Sequence, residues 1–466
     1  MRVLAYGGAV LASVAATPLV TRHLHKVNYG HYVTVTSLML IVLALSEGGL
    51  ANLGVREFST GRPSERRAFM RNLIGLRIVL SFAGGLAATG FALLAGYPRV
   101  VFEGTAIAAV GLVLATLQGT IALPLSTSLR LGWLAVLDFL GPATTAFTLI
   151  ALVLAGASLL PFYGAAVLAA VTMLALTAAL VHRDVSLLPA FDAASWRRLL
   201  RQSVVFAAAT SLGTTYFQVV VVAMSLLASQ AAVGIFGLAF RILSVVNGIP
   251  LLVIGSAFPI LLRAARDDRE RLRYALQRLL EGQLLLGGWF SIMVVAAAPI
   301  AVRIMGPPGF SDAGEVLKIL GAGVIATYMA AVGMFALLSL RRYRELIAIN
   351  AVMIPLAIGL SAVLIPRFGA DGAAVVTLSL EVVLAVGSLA FLFVRQPELR
   401  PGLDALGRIA LSLAAAFAVV VLCPLTSVEA AAAGTAVLGV AVIALRALPP
   451  EFAAEVRKRA RARGGN

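Results

Sequence analysis

The sequence predicts an all-α polytopic membrane protein of about fourteen transmembrane helices, built as two six-helix repeats followed by two more helices. Three observations predict it. Apolar runs of spanning length recur throughout the 466 residues, with 61% hydrophobic and 12% charged side chains and a mean hydropathy of +0.99, far from the composition of soluble domains. Basic residues gather in alternate loops. A stretch in the first half also has a counterpart in the second.

About 20 apolar residues at 1.5 Å of rise cross the hydrocarbon core. Runs of that kind fall near residues 3–21, 32–55, 72–96, 101–124, 132–155 and 160–181. After a polar segment they resume near 203–228, 233–259, 283–304, 316–340, 346–365 and 372–394, then 407–424 and 428–446. The expected organisation is a first lobe over 1–182, a cytoplasmic amphipathic linker over 183–202 and a second lobe over 203–394. Helices 13 and 14 occupy 395–446, and 447–466 form a basic cytoplasmic tail. The opening MRVLAYGGAVLASVAATPLVT also has the basic start, short apolar core and small residues of a cleavable leader; it is read here as a retained helix 1.

With the amino terminus in the cytoplasm, the 37 Lys and Arg residues separate by side. Only Arg22, Lys26, Arg99, Arg303, Lys318 and Arg367 fall outside, Arg77 and Arg241 lie within helices, and all others are cytoplasmic. This asymmetry sets the orientation. It also explains the net charge of +16 without nucleic acid, because the basic residues sit where anionic headgroups are. The single Cys423 forms no intrachain disulfide, and His23, His25, His31 and His182 lack metal-ligand spacing, so neither metal nor cofactor is expected.

Two cytoplasmic segments read as amphipathic. Asp192 to Gln202, DAASWRRLLRQ, opens on an N-cap residue and places Trp196, Leu199 and Leu200 apart from Arg197, Arg198 and Arg201. It is expected on the inner membrane surface, linking the halves. RAARDDRERLRYALQRLLEG, from Arg263, mixes charges at helical spacing and reads as a solvated helical extension.

The internal resemblance lies between Val20–Glu57 and Leu227–Arg263. Each has a short external loop ending in Gly and an aromatic, Tyr29-Gly30-His31-Tyr32 against Val233-Gly234-Ile235-Phe236, then a long apolar helix closing on Arg. Repeats of parallel sense suggest two lobes around a midplane site. Breakers that would permit bending are Gly48-Gly49, Pro142, Pro250, Pro259, Pro299 and Pro355.

Charges inside the apolar runs are the candidate site. Arg241 lies nine residues past Ala232, roughly 13 Å down its helix, where an arginine costs about 2.5–3.5 kcal/mol unless it faces a wet cavity. Glu381 lies at a similar depth past Gly372 and could pair with it. Glu47, Arg77 and Asp138 form a second set toward the cytoplasmic ends of helices 2, 3 and 5. The structural alternative is that each set is a neutralised pair holding a lobe together.

The Tyr-Gly-x-Tyr element with the helix ending GGLANLGVREF, AVGIFGLAFRI with a stretch ending FPILLR, and GADGAAVVTLSLE after IPRF resemble the Wzx-type oligosaccharide flippases of the MOP superfamily, over most of residues 1–395. The resemblance implies two six-helix lobes forming a V around a cationic central cavity, alternating access, and a lipid-linked oligosaccharide as cargo. Such cargo has an anionic, hydrated head that needs cationic donors in place of water. Arg241 and Arg77 are the expected substrate contacts and Glu381, Glu47 and Asp138 their charge partners in the cavity. Expected partners are membrane lipids, a cation gradient, and a polysaccharide polymerase and glycosyltransferases, in a bacterial plasma membrane. One departure concerns the acidic-basic pair that family members often carry in helix 7, where this chain has Gln218-Val219-Val220; the resemblance therefore does not carry ion coupling through such a pair over to this chain. The alternatives kept are a lipid II flippase and a multidrug antiporter of the same superfamily, the latter on the strength of the three carboxylates. A membrane glycosyltransferase is disfavoured because the longest external loop, residues 303–315, offers only Asp312 and Glu315.

Overall fold

The computed structural model describes residues 2–60, 63–128, 130–182, 188–210, 212–423 and 426–447. Residues 183–187 of the expected linker and the tail beyond 447 lie outside the described residues. In lipid, backbone polar groups must be satisfied within the chain, so apolar runs of this length become helices. The described chain is mostly helical, with short connections: α1 (Arg2–Glu47), α2 (Leu50–Thr60), α3 (Pro63–Leu94), α4 (Arg99–Ile121), α5 (Leu123–Thr127), α6 (Leu131–Leu154), α7 (Leu159–Val181), α8 (Ala193–Thr210), α9 (Leu212–Leu227), α10 (Gln230–Asn247), α11 (Ile249–Asp267), α12 (Arg269–Met305), α13 (Ala313–Ala322), α14 (Val324–Ser339), α15 (Tyr343–Arg395), α16 (Leu403–Leu422) and α17 (Ser427–Ala444).

Among the described residues, 11 helical stretches are long and apolar enough to cross a membrane, and Thr215–Leu227 is a shorter apolar helix. Two helices each merge two expected ones across a kink. In α1 the kink is at His25 (φ 56°) and in α15 at Gly369 (φ 54°). Splitting them there and adding the shorter helix recovers the fourteen passes. The loop expected between the first two passes is therefore no more than the kink at His25.

The second pass differs from expectation. The run anticipated over 32–55 stops at Glu47, because Gly48 and Gly49 both take positive φ (42° and 73°), a conformation that side-chain-bearing residues rarely adopt. The repeat-related helix is interrupted at the corresponding place without a positive φ: α10 ends at Asn247, and α11 restarts after Gly248 (φ −75°) with Pro250 in its first turn, where the missing N–H is harmless. Pro142, Pro259, Pro299 and Pro355 lie within α6, α11, α12 and α15.

The chain divides into two compact units. The first comprises residues 1–238, 304–310 and 350–373 and the second the remainder. The first unit reaches past residue 182 to take in α8, α9 and the start of α10. Its core at one end joins α2, α3, α5, α6, α7 and α8 through Leu50, Met70, Leu73, Leu125, Leu137, Val181 and Leu199. In the second unit, α12, α16 and α17 close around Ile292, Ile409, Leu413 and Leu438.

The charged extension after Arg263 is not simply solvated. Leu272, Leu276 and Leu280 are buried at four-residue spacing, and Glu281 is 1% exposed. Arg278 and the Gln277 amide, on the preceding turn of α12, both donate to the Glu281 carboxylate. Arg269 donates to Gln396 at 2.9 Å. The leucine stripe within the charge pattern is the reason: it gives this segment a buried face.

Candidate functional site

Within the first unit, α1 and the start of α10 cross at Gly30 and Gly234. A Cβ at Gly30 would fall 2.0 Å from the Gln230 carbonyl oxygen, and one at Gly234 would fall 2.1 Å from that of Lys26. Thr34 Oγ1 donates to the Gly30 carbonyl at 2.9 Å and reaches Gln230 Oε1 at 3.4 Å. Rings pack beside the crossing: Tyr29 meets Phe310 edge-on at 6.1 Å, and Tyr32 stacks on Tyr163 at 6.0 Å. Thr21 Oγ1 donates to the Met305 carbonyl at 2.7 Å. The two glycine–aromatic elements were legible as a repeat, but nothing in the sequence said that they meet.

Arg77, on α3, is 4% exposed, and its Nη1 donates to the carbonyl oxygen of Ser46 at 3.2 Å. That carbonyl belongs to the last turn of α1, whose terminal acceptors have no intrahelical partner once Gly48-Gly49 stop the helix. The guanidinium therefore caps α1. Glu47, next along, is exposed, and its charge acts on Arg77. Asp138 is exposed on α6. Of this expected trio, the structure brings Arg77 to the segment that carries Glu47. A cavity of about 380 Å³ adjoins Ser46, lined by apolar side chains of α1 and α3 with Val222 of α9.

In the second unit, Arg241 is half-buried on α10 and Glu381 is 4% exposed on α15 beyond the Gly369 kink. Both are engaged by neighbouring groups, and neither is a free charge. Gln218 is half-buried on α9. The buried Glu281 was missed as a carboxylate because the charge-rich run around it masked its place on the leucine face. Among the described residues, no three His, Cys, Asp or Glu side chains converge as a metal site requires.

Eleven spanning stretches, glycine-broken helices and arginines held within apolar runs define a multi-pass membrane protein. Residues 3–265 match the polysaccharide biosynthesis protein family, and the chain belongs to it. Its fold is similar to that of the lipid II flippase MurJ in an inward closed conformation, with a TM-score of 0.81 at 12% identity over 96% of this chain and 98% of that one. It is also similar to an inward-facing MATE-family multidrug resistance transporter, with a TM-score of 0.67 at 13% identity over 86% of this chain and 95% of that one. For the MATE multidrug transporter DinF-BH, the TM-score is 0.63 at 16% identity over 86% and 95% of the two chains. At these identities the likeness is one of fold. None of the curated proteins matches the sequence.

Proposed function

We propose that this protein is a flippase that carries a polyprenyl-pyrophosphate-linked oligosaccharide from the cytoplasmic to the outer leaflet of a bacterial plasma membrane by alternating access, for surface polysaccharide synthesis. The observation that carries the reading is membership of the polysaccharide biosynthesis family over residues 3–265 in a chain with this transporter fold. The chemistry of Arg241 supports it. A half-buried guanidinium inside an apolar span is a suitable partner for a phosphate head, which it grips with two parallel donors. Arg77 acts differently in this reading: it fixes the end of α1 beside the Gly48-Gly49 break and so positions the helix instead of touching cargo.

A second reading, transport of lipid II, has the MurJ-like fold over 96% of the chain in its favour. Both cargoes present a pyrophosphate and differ in the sugar. Deletion of the gene distinguishes them, with extracted lipid-linked intermediates identified by mass spectrometry. Accumulation of a lipid-linked surface-glycan unit on the cytoplasmic side supports the oligosaccharide reading. Accumulation of the cell-wall precursor with normal surface glycan replaces it with the second.

A further inference from the structure

The face of α8 that carries Arg197, Arg198 and Arg201 has no part in the site described above. We infer that it is a binding site for the phosphate head of an anionic membrane lipid. Three guanidiniums, together with Ala194, Leu200 and Gln202, line one open cavity of about 900 Å³. Positions 194, 197, 198 and 201 recur at helical spacing and are exposed, while Leu199 and Ser203 on the other side are buried.

The platform is held rigidly. The Trp196 indole N–H donates to the Asn72 carbonyl at 3.0 Å, and the Ala190 N–H to the Arg71 carbonyl at 2.8 Å. At Gly75 the two backbones approach so closely that a Cβ would lie 2.1 Å from the Ala190 oxygen. Asp192 ends the approach segment as an N-cap, accepting from the Ala194 and Ser195 N–H groups at 3.1 and 3.3 Å and from the Ser195 hydroxyl. Its carboxylate is engaged by those donors and also feels the charge of Arg198, while all three arginines remain exposed. A segment that only joined two helices would need none of these fixings.

The neighbouring residues identify a lipid as the source of the phosphate. Leu188 and Phe191, just before α8, are 68% and 64% exposed, and Phe191 packs edge-on against Trp196 at 5.8 Å. Two bare apolar side chains beside three arginines, next to the ends of the spans Glu65–Leu94 and Leu159–Val181, form an interfacial element. The apolar pair enters the acyl layer and the guanidiniums meet phosphate at the headgroup level. A site for a free anion would have no use for the apolar pair. The inference holds whether or not the cargo assignment above is right, since any phosphate-headed lipid in that leaflet fits it.

The test uses the purified full-length chain in mild detergent, titrated with phosphatidylglycerol or phosphatidylcholine and read by native mass spectrometry. Wild type is expected to retain phosphatidylglycerol preferentially. The triple variant Arg197→Gln/Arg198→Gln/Arg201→Gln is expected to lose at least about tenfold of that preference, with the salt dependence flattened, and the triple Lys variant to keep a large part of it. Phe191→Ser is expected to weaken retention of both lipids alike. Thermal unfolding of each variant checks that the fold persists, and single Gln variants serve if the triple one unfolds. Unchanged phosphatidylglycerol retention in the folded Gln variants would overturn the inference. So would displacement of the lipid by stoichiometric inorganic pyrophosphate, which would make the site one for a free anion.

Discussion

Gly30 and Gly234 each approach the main chain four residues before the other: the first abuts the Gln230 carbonyl and the second that of Lys26. The contact is reciprocal, as between two copies of one motif related by approximate twofold symmetry. The same offset separates Gly30 from Gly234 and Tyr32 from Phe236, so an internal repeat in the sequence becomes a self-complementary helix crossing in the fold.

That reciprocity predicts matched penalties. Gly30→Ala and Gly234→Ala each force a methyl group against a carbonyl with no side chain able to yield, and each is expected to cost about 1–3 kcal/mol, as overpacking does. The double variant is expected to cost less than the sum, since the first substitution already separates the helices. Gly90→Ala is the control, because a Cβ there meets nothing within 4 Å; it is expected to be neutral or slightly stabilising in its helix. Unfolding in mixed micelles measures all four, and equal loss in the Gly90 variant would dismiss the crossing as the cause.

Arg77 is predicted to act through the end of α1. Arg77→Leu removes a charged donor from the Ser46 carbonyl, and the expected loss is about 1.5–3 kcal/mol, as for hydrogen bonds of charged groups. Glu47→Gln is expected to change little, since Glu47 is exposed. A Glu47→Gln defect as large as that of Arg77→Leu would show instead that the ion pair, not the cap, is what Arg77 supplies.

The fold was legible because the bilayer permits so few backbone solutions: apolar length alone specified most helices, and composition did the rest. Breaks were harder to place. Gly48-Gly49 stood out as a breaker, yet the apolar pattern continued through it, so the second pass was drawn too long. The site was legible only as residue types. Depth along a helix marked Arg241, Glu381 and Arg77 as unusual, but which way each points depends on packing between distant segments. Arg77 shows the difficulty: its acceptor is a main-chain carbonyl, and a carbonyl carries no mark in the sequence.

Asp192 predicts a pH response for α8. Hydrogen bonds from the Ser195 hydroxyl and the Ala194 N–H hold its carboxyl below the usual aspartate range. A lowered value means that the cap is fully in place above the ordinary pKa of about 3.9 and is lost only as pH falls through the lowered one. In a background with Trp133 and Trp289 replaced by Phe, Trp196 emission is expected to hold steady from about pH 8 to 5 and to change only below about 4. Asp192→Asn keeps an N-cap acceptor and is expected to remove this transition, whereas Asp192→Ala is expected to loosen α8 at every pH. A transition near neutrality would assign the response to another group.

The distribution of basic residues predicts sidedness. Reporter fusions at Asp268 and Glu398 are expected to report cytoplasm, and those at Ser311 and Asp371 the exterior. If either pair reads inverted, the two parallel repeats cannot both span as drawn.

Arg241 and Glu381 provide the decisive comparison for cargo recognition, because the two readings of Arg241 give opposite results in a double variant. If the guanidinium grips the pyrophosphate, Arg241→Ala abolishes glycan export with the protein still inserted, since a desolvated anion loses its partner. Arg241→Lys then keeps part of the activity: the charge remains, but the planar two-donor fork is gone, and the deficit measures bidentate recognition. If Arg241 only neutralises the buried Glu381, removing one partner strands the other, and removing both relieves the burial cost. The double variant Arg241→Leu/Glu381→Leu is therefore expected to stay inactive under substrate contact and to recover under pure pairing. Surface glycan in a deletion strain, normalised to membrane protein, reads each variant. Recovery in the double variant would leave Arg241 as part of the scaffold and move the search for the phosphate contact to other cations.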